Sequence, residues 1–180
     1  MPRFVALLRG INVGNAKRVA MADLRALLES LEYSNVTTLL NSGNAVFDGP
    51  AETRSRHAQR IQGAVRNELG VDCLVIVKTA KDMSAVVAGN ALKNREVDPS
   101  RLLVALTADS DALMAIAALA TLEWGAEEVH VGKHAAYVWC ANGILESKVA
   151  VALLKGLATS GTTRNWSTIE RILKVLCDHA

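Results

Sequence analysis

Apolar positions along this chain alternate between two spacings. Phe4–Leu8 is a short continuous apolar run that ends in a glycine loop, which predicts a buried strand. Met21, Leu24, Leu28 and Leu31 then recur at three- and four-residue steps, one face of a helix with Asp23 in its first turn. Val36–Leu40 and Ala45–Phe47 read as strands around Ser42-Gly43-Asn44. That interruption is a tight hairpin or a bulge, with Gly43 and Asn44 the types that accept positive φ. After Gly49-Pro50, a helix over about 51–69 presents Ile61, Val65 and Leu69 and stops at Gly70. Cys73–Val77 is the next strand. The order β-α-β-β-α-β is the split βαβ, ferredoxin-like arrangement. Its helices cover one face of an antiparallel or mixed sheet, so the other face must be wet or covered by something else.

The pattern then starts again. Thr79-x-x-Asp82 predicts a capping box for a helix carrying Met83, Val86 and Val87. The polar segment Asn90–Pro99 reads as a linker. Leu102–Thr107 is a strand, and Leu113, Ile116, Ala117 and Ala120 form a helical stripe. Glu128–Val131 and Ala135–Cys140 are strands joined by Gly132-Lys133-His134. Ser147 caps a helix with Val149, Leu153, Leu154 and Leu157. A last helix buries Ile169, Ile172, Leu173 and Leu176. Its Ser167-x-x-Glu170 capping box leaves Thr162–Trp166 just before or within the first turn. The expectation is an α+β protein of two ferredoxin-like lobes, 1–90 and 91–180, the second with C-terminal helices and the two free to pack as one compact unit. The halves share pattern rather than sequence, as an ancient duplication would.

Composition narrows the function classes. Of the 180 residues 51% are hydrophobic and 21% charged, as in a globular chain large enough for a real core. The formal net charge of +2 is mixed along the chain, with 11 basic and 8 acidic residues in 1–90 and 9 and 10 in 91–180. The electrostatic footprint of a nucleic-acid binder is therefore missing. Only 4% of residues are aromatic, and Tyr137-Val138-Trp139 is the one aromatic-rich strand, so a base-stacking platform is mostly missing too. Cys73, Cys140 and Cys177 are odd in number and lack C-x-x-C spacing, which reads as buried reduced thiols. No apolar run reaches the ~18–20 residues of a membrane span, and no charged-then-apolar leader opens the sequence. The expectation is a cytoplasmic protein with no membrane partner.

Candidate chemistry gathers at three places. Arg9 and Asn12 flank the exit of the first strand. Either they hold an anion beside a glycine loop and a helix N-terminus, or they tie the loop to the sheet. The spacing of Gly10, Gly14 and Lys17 fits neither the phosphate loop nor the dinucleotide fingerprint. Asn41, Ser42 and Asn44 either offer amides and a hydroxyl to a ligand or meet the backbone needs of a turn. Ser42 has no nucleophile elbow. Thr162, Thr163, Arg164 and Asn165 either bind a phosphate or carboxylate, or divide into a capping Thr163, a paired Arg164 and a core Trp166. Lys148, in the first turn of a helix, is unfavourable for the dipole unless an anion or solvent compensates it. His130 and His134 fall on a strand and its turn, and no Cys or carboxylate joins them at metal spacing, so no metal or cofactor is expected. His57 and His179 read as surface residues, and Glu127 and Glu128 as solvated. No triad or acid pair is visible.

These motifs also carry a family resemblance. Leu7-Leu8-Arg9-Gly10-Ile11-Asn12-Val13-Gly14, Met21-Ala22-Asp23-Leu24, Asn41-Ser42-Gly43-Asn44-Ala45-Val46-Phe47, His130-Val131-Gly132, Ser147-Lys148 and Thr163-Arg164-Asn165-Trp166 follow one another in the chain. Together they resemble, nearly end to end, the bacterial family called domain of unknown function 1697. The resemblance implies an α+β fold with ferredoxin-like subdomains in a cytoplasmic bacterial protein, and no established activity. Three positions depart from the family pattern: Asn41 stands where Gln is usual, Ala20 where Pro is, and Ser167 where Asn is.

The leading functional expectation is a binding module for a small anionic ligand, a nucleotide or phosphorylated metabolite, held between two lobes by Arg9, Asn12, Asn41, Ser42, Asn44, Lys148, Thr163, Arg164 and Asn165. The alternatives are an enzyme of unidentified reaction with Arg or Lys as an anion clamp, its catalytic residues unassigned, and a structural or protein-interaction domain. Nucleic acid ranks below the small anion.

Overall fold

The structure is a computed structural model that describes residues 1–15 and 17–178. The described residues form two four-stranded sheets, both antiparallel throughout. The first is built from β1 (Arg3–Leu8), β2 (Ser34–Leu39), β3 (Asn44–Asp48) and β4 (Val75–Thr79), in the order β2-β3-β1-β4. Helices α1 (Met21–Ser30) and α2 (Arg54–Leu69) make the two crossovers. The second sheet repeats the scheme with β5 (Leu102–Thr107), β6 (Glu128–Val131), β7 (Ala136–Trp139) and β8 (Gly161–Asn165), ordered β6-β7-β5-β8. Its crossovers hold α4 (Ser110–Met114) and α5 (Lys148–Leu157), while α3 (Ala80–Ala88) precedes β5 and α6 (Trp166–Cys177) ends the chain. Both lobes are ferredoxin-like.

By packing, the chain divides into Met1–Lys81 with Arg171–Ala180, and Asp82–Glu170. The sequence pattern alone suggests a division after residue 90. One reason for the earlier boundary is that α3 is tied to the second sheet, where the Tyr137 hydroxyl donates to the Val86 carbonyl at 2.5 Å. The segment expected as a linker is likewise fastened down. Asn90 is buried and bonds the Glu96 carboxylate and the Leu92 N–H. Arg95 lies over the Trp139 ring and pairs with Glu128.

The first core forms where Phe4, Ala6, Leu8, Ala45, Phe47, Val75 and Val77 meet Leu24, Leu27 and Leu28 of α1 and Ile61, Ala64 and Val65 of α2. The opposite face of this sheet is buried as well, since Val5, Leu7, Val46 and Ile76 are almost fully excluded from water. That resolves the wet-or-covered alternative. In the second unit Leu103, Ala105, Ala136 and Val138 pack against Leu113 of α4 and Val149, Ala150, Leu153 and Leu157 of α5. The central strands share a short identity in register. Val5-Ala6 pair with Val46-Ala45, and Val104-Ala105 pair with Tyr137-Ala136.

Several local expectations change. Residues 161–165 are a strand rather than a helix entry: β8 pairs with β5 and completes the second βαββαβ. The run Thr-Thr-Arg carries too little apolar character to announce a strand, because only Thr162 and Arg164 turn inward. The stripe from Leu113 to Ala120 is a five-residue helix followed by a 3-10 turn at Ala117–Thr121, with Ala117 and Ala120 exposed. The long helix of the first lobe starts at Arg54, capped by Thr53, and ends as anticipated at Gly70 in a left-handed conformation. The β2–β3 connection is a hairpin with four loop residues, 40–43, in which Leu40 and Gly43 take positive φ while Asn44 belongs to the strand. Cys73 and Cys140 are buried, but Cys177 is exposed.

Candidate functional site

In the first lobe the connection from β1 to α1 runs from Arg9 to Ala20 and is organised by one side chain. Asn12 takes a left-handed backbone (φ 55°), which Asn tolerates better than most residues. Its Nδ2 donates to the Val19 carbonyl and to the Asn41 carbonyl, each at 2.8 Å, and its Oδ1 accepts from the Val19 N–H at 2.9 Å. The carboxamide thus stands in for a strand neighbour to Val19 and joins the loop to the hairpin tip. The Asn12 N–H donates to Lys17 O at 3.0 Å and closes the loop on itself.

Glycine 43 fits this junction by shape. The Leu8 N–H donates to its carbonyl at 2.8 Å, and a Cβ there would meet Ile11 Cδ1 at 2.8 Å and Leu8 Cβ at 2.9 Å. Asn44 is fully buried, its Nδ2 donating to Leu39 O and Ser42 Oγ at 2.9 Å each. The structure therefore brings Asn12 to Asn41 and Ser42 to Asn44: Asn12 and Asn44 donate to main-chain carbonyls, Asn41 takes part through its own carbonyl, and Ser42 through its hydroxyl. Arg9 is half-buried at the strand exit, its N–H donating to Leu74 O at 2.9 Å.

Beyond Asn12 the described loop residues face solvent except Val19, which is buried. Val13, Gly14, Asn15, Lys17 and Arg18 are exposed, and Gly10, Gly14 and Lys17 join Asn12 in the left-handed region. From residue 9 to 20 the sequence carries Arg9, Lys17 and Arg18 and no carboxylate. Among the described residues neither Lys17 nor Arg18 makes an ion pair. The positive charge of Lys17 is felt at Cys73, where it pulls against the burial that pushes that thiol up to about 11. Spacing and motif alone do not single out Lys17 and Arg18 as site residues; their signal in the sequence is the absence of any acid between Arg9 and Asp23.

The second lobe holds the other candidates. Arg164 on β8 is buried beside Val104, and its Nη1 donates to Thr162 Oγ1 at 2.9 Å and to Thr163 O at 2.7 Å. Loss of water pulls its pKa down to about 10. Asn165 is the cap of α6: its Oδ1 accepts from the Thr168 N–H at 3.0 Å, the Thr168 hydroxyl at 2.8 Å and the Ser167 hydroxyl at 3.0 Å. Ser167 is thus a partner of the cap rather than the cap itself. Trp166 is buried, and its indole N–H has no acceptor among the described residues. Lys148 is exposed at the first position of α5. The helix end it occupies is already served, because Ser147 Oγ accepts from Ala150 N and Glu127 Oε2 accepts from Val149 N at 3.0 Å. Glu127 and Glu128, expected to be solvated, are both engaged, the second by Arg95.

His57 departs furthest from its surface assignment. It is fully buried against Phe4, Tyr33 and Phe47, with ring centroids 4.5, 5.5 and 5.9 Å away. His130 stacks on Tyr137 and His134 is exposed, on a strand and its turn as expected, and His179 lies outside the described residues. A shallow hollow on α2 is lined by Gln59, Gln62, Gly63 and Arg66, but Gln62 accepts from Val75 N and Arg66 pairs with Asp72.

Two successive βαββαβ lobes with antiparallel sheets define the class, a two-lobed ferredoxin-like α+β protein. The chain belongs to the family described as protein of unknown function (DUF1697), whose model matches residues 1–137. Among curated proteins none matches it. Among solved structures it is similar to the conserved bacterial protein SP0830 from Streptococcus pneumoniae. The TM-score is 0.79 at 24% identity, over 97% of this chain and 98% of that one. That likeness speaks to the fold. Among the described residues no helix is long and apolar enough to cross a membrane.

Proposed function

We propose that this protein binds a small anionic ligand, phosphate- or carboxylate-bearing, on the loop between β1 and α1. The observation that carries this reading is the asymmetry of two otherwise matching connections. In the second lobe, β5 passes to α4 through Ala108 and Asp109 alone, and Asp109 caps the helix. In the first lobe the same step takes residues 9–20, carries three cations and no acid, and is pinned by Asn12. Connections of about 12 residues without secondary structure are uncommon in compact domains and are mostly functional. Left-handed residues alternating with others turn successive N–H groups to one side, which with nearby cations suits an anion. Arg9, Lys17 and Arg18 supply charge; Asn12, Asn41, Ser42, Asn44 and Gly43 hold the frame. No catalytic residue is assigned. Asn165 and Lys148 are accounted for by helix capping and exposure, so the ligand reading leans on the first lobe.

The test is thermal stability of the protein against inorganic phosphate, nucleoside mono- and triphosphates, sugar phosphates and dicarboxylates. A ligand at about 100 times its dissociation constant stabilises by about 2.7 kcal/mol, a shift of several degrees at this size. The shift should vanish in a Lys17→Ala/Arg18→Ala variant whose unliganded melting temperature is unchanged. No shift across the panel, or one that survives the double substitution, would sink the proposal.

A further inference from the structure

We infer that His57 is an acid-sensitive clasp holding the base of the β2–β3 hairpin closed. Its Nδ1 lies 2.8 Å from the Tyr33 hydroxyl and its Nε2 3.2 Å from the Pro50 carbonyl. Tyr33 immediately precedes β2, and Pro50 follows the end of β3 by two residues. One imidazole on α2 thus joins both ends of the hairpin to the helix. A single neutral tautomer satisfies both contacts: Nε2–H donates to Pro50 O, and Nδ1 accepts from the Tyr33 O–H. The bend is shaped around this contact. A Cβ on Gly49 would come within 3.0 Å of the Tyr33 ring and 3.3 Å of His57 Cε1.

Protonation breaks this arrangement in two ways. A second N–H on Nδ1 would turn the Tyr33 hydroxyl from donor to acceptor, and its own O–H would lose the imidazole as a partner. The imidazolium would also stand without water among three aromatic rings. Nearby charge gives only partial relief. On α2 the Arg60 guanidinium lies 5.3 Å from the Tyr33 ring centroid, and before α2 Glu52 is paired with Arg56. Burial is the largest influence and holds the His57 pKa below the ordinary value, against the raising effects of the Pro50 carbonyl and of Glu52, while Arg60 adds to the lowering. The Arg3–Asp48 pair of β1 and β3 belongs to the opposite face of the sheet, by strand alternation from Phe4 and Phe47. Glu32 and the α1 residues Asp23, Arg25 and Glu29 are exposed.

The direction follows from linkage. The open hairpin frees an imidazole that titrates near the ordinary value of about 6.5, while the closed form titrates lower. Acidification below about 6.5 therefore favours opening by up to tenfold per pH unit, until the closed-form pKa is reached; above it nothing changes. The tip of this hairpin receives the Asn12 and Leu8 hydrogen bonds at Asn41 and Gly43. Release of the clasp would loosen the β1–α1 loop. That consequence rests on the anion-site proposal, whereas the clasp is read without any ligand.

Hydrogen exchange at pH 7.5, 6.5 and 5.5, corrected for intrinsic rates, tests it on peptides covering 33–49 and 75–79. In the native protein, protection of 33–49 should fall by up to tenfold per unit below pH 6.5 while 75–79 holds. In His57→Gln the pH dependence should disappear. Protection of 33–49 that ignores pH, or that falls equally in His57→Gln, would overturn the clasp. Should that variant not fold, an NMR titration of the native His57 ring decides: an apparent pKa at or above 6.5 overturns it, and one below supports it. Hairpin release in a protein that binds no anion at any pH would remove the anion site and leave the clasp standing.

Discussion

The two lobes are the same construction used differently. Both order their strands 4-1-3-2 and pair a central Val-Ala with the third strand in the same register. Both also bury a cation opposite the central valine: Lys78 pairs with Val5 in the first lobe, and Arg164 with Val104 in the second. They part at the connection after the first strand. The second lobe turns through two residues into a capped helix; the first runs through a cationic loop with its own internal scaffold. Shared features are those the sheet needs to exist. The feature held by one lobe alone is where a lobe-specific task is best sought.

Substitutions can break this contrast in graded steps. Gly43→Ala should be the most damaging, because it combines positive φ with two contacts below 3.0 Å, costing about 3 kcal/mol in chemical denaturation. Asn12→Ala removes three hydrogen bonds and a residue suited to left-handed backbone, and should cost about 2 kcal/mol, with faster hydrogen exchange at Val19. In the second lobe, Asn165→Ala removes only a helix cap and should cost about 1 kcal/mol. Lys17→Ala and Arg18→Ala should each leave stability within about 0.5 kcal/mol, because both are exposed, so their cost appears only in ligand binding. If Asn165→Ala proved costlier than Asn12→Ala, the first-lobe loop would lose its standing as a dedicated scaffold. The thiols add a check on packing: one cysteine, Cys177, should react with a thiol reagent in the folded protein, and all three after denaturation.

Much of the fold was legible in the sequence because burial follows period. The stripe of α1, the Gly70 stop, the Ser147 cap and the paired strands of each lobe were all set by local spacing. What escaped was set by distant partners. β8 is an edge strand whose inward residues are Thr162 and Arg164, so no apolar alternation marks it. His57 is buried by rings from β1, β3 and the turn before β2, and nothing within a few residues of it says so. Glu127 looks solvated until α5 places a free N–H against it. The polar motifs were found, but their hydrogen bonds were not readable. Asn12 and Asn165 look alike as amides beside helices, yet one joins a loop to a hairpin tip and the other caps a helix.

The first packing unit takes residues from both ends of the chain, 1–81 and 171 onward, with the other unit set between them in sequence. A ribosome releases these pieces far apart in time. The N-terminal sheet can pair its strands early, but its unit is complete only when the end of α6 emerges. Synthesis thus favours the internal unit as the first to be finished, and a C-terminal deletion removes part of the N-terminal unit as well. A stop codon shortly before residue 171 would then be felt as damage to the packing of residues 1–81.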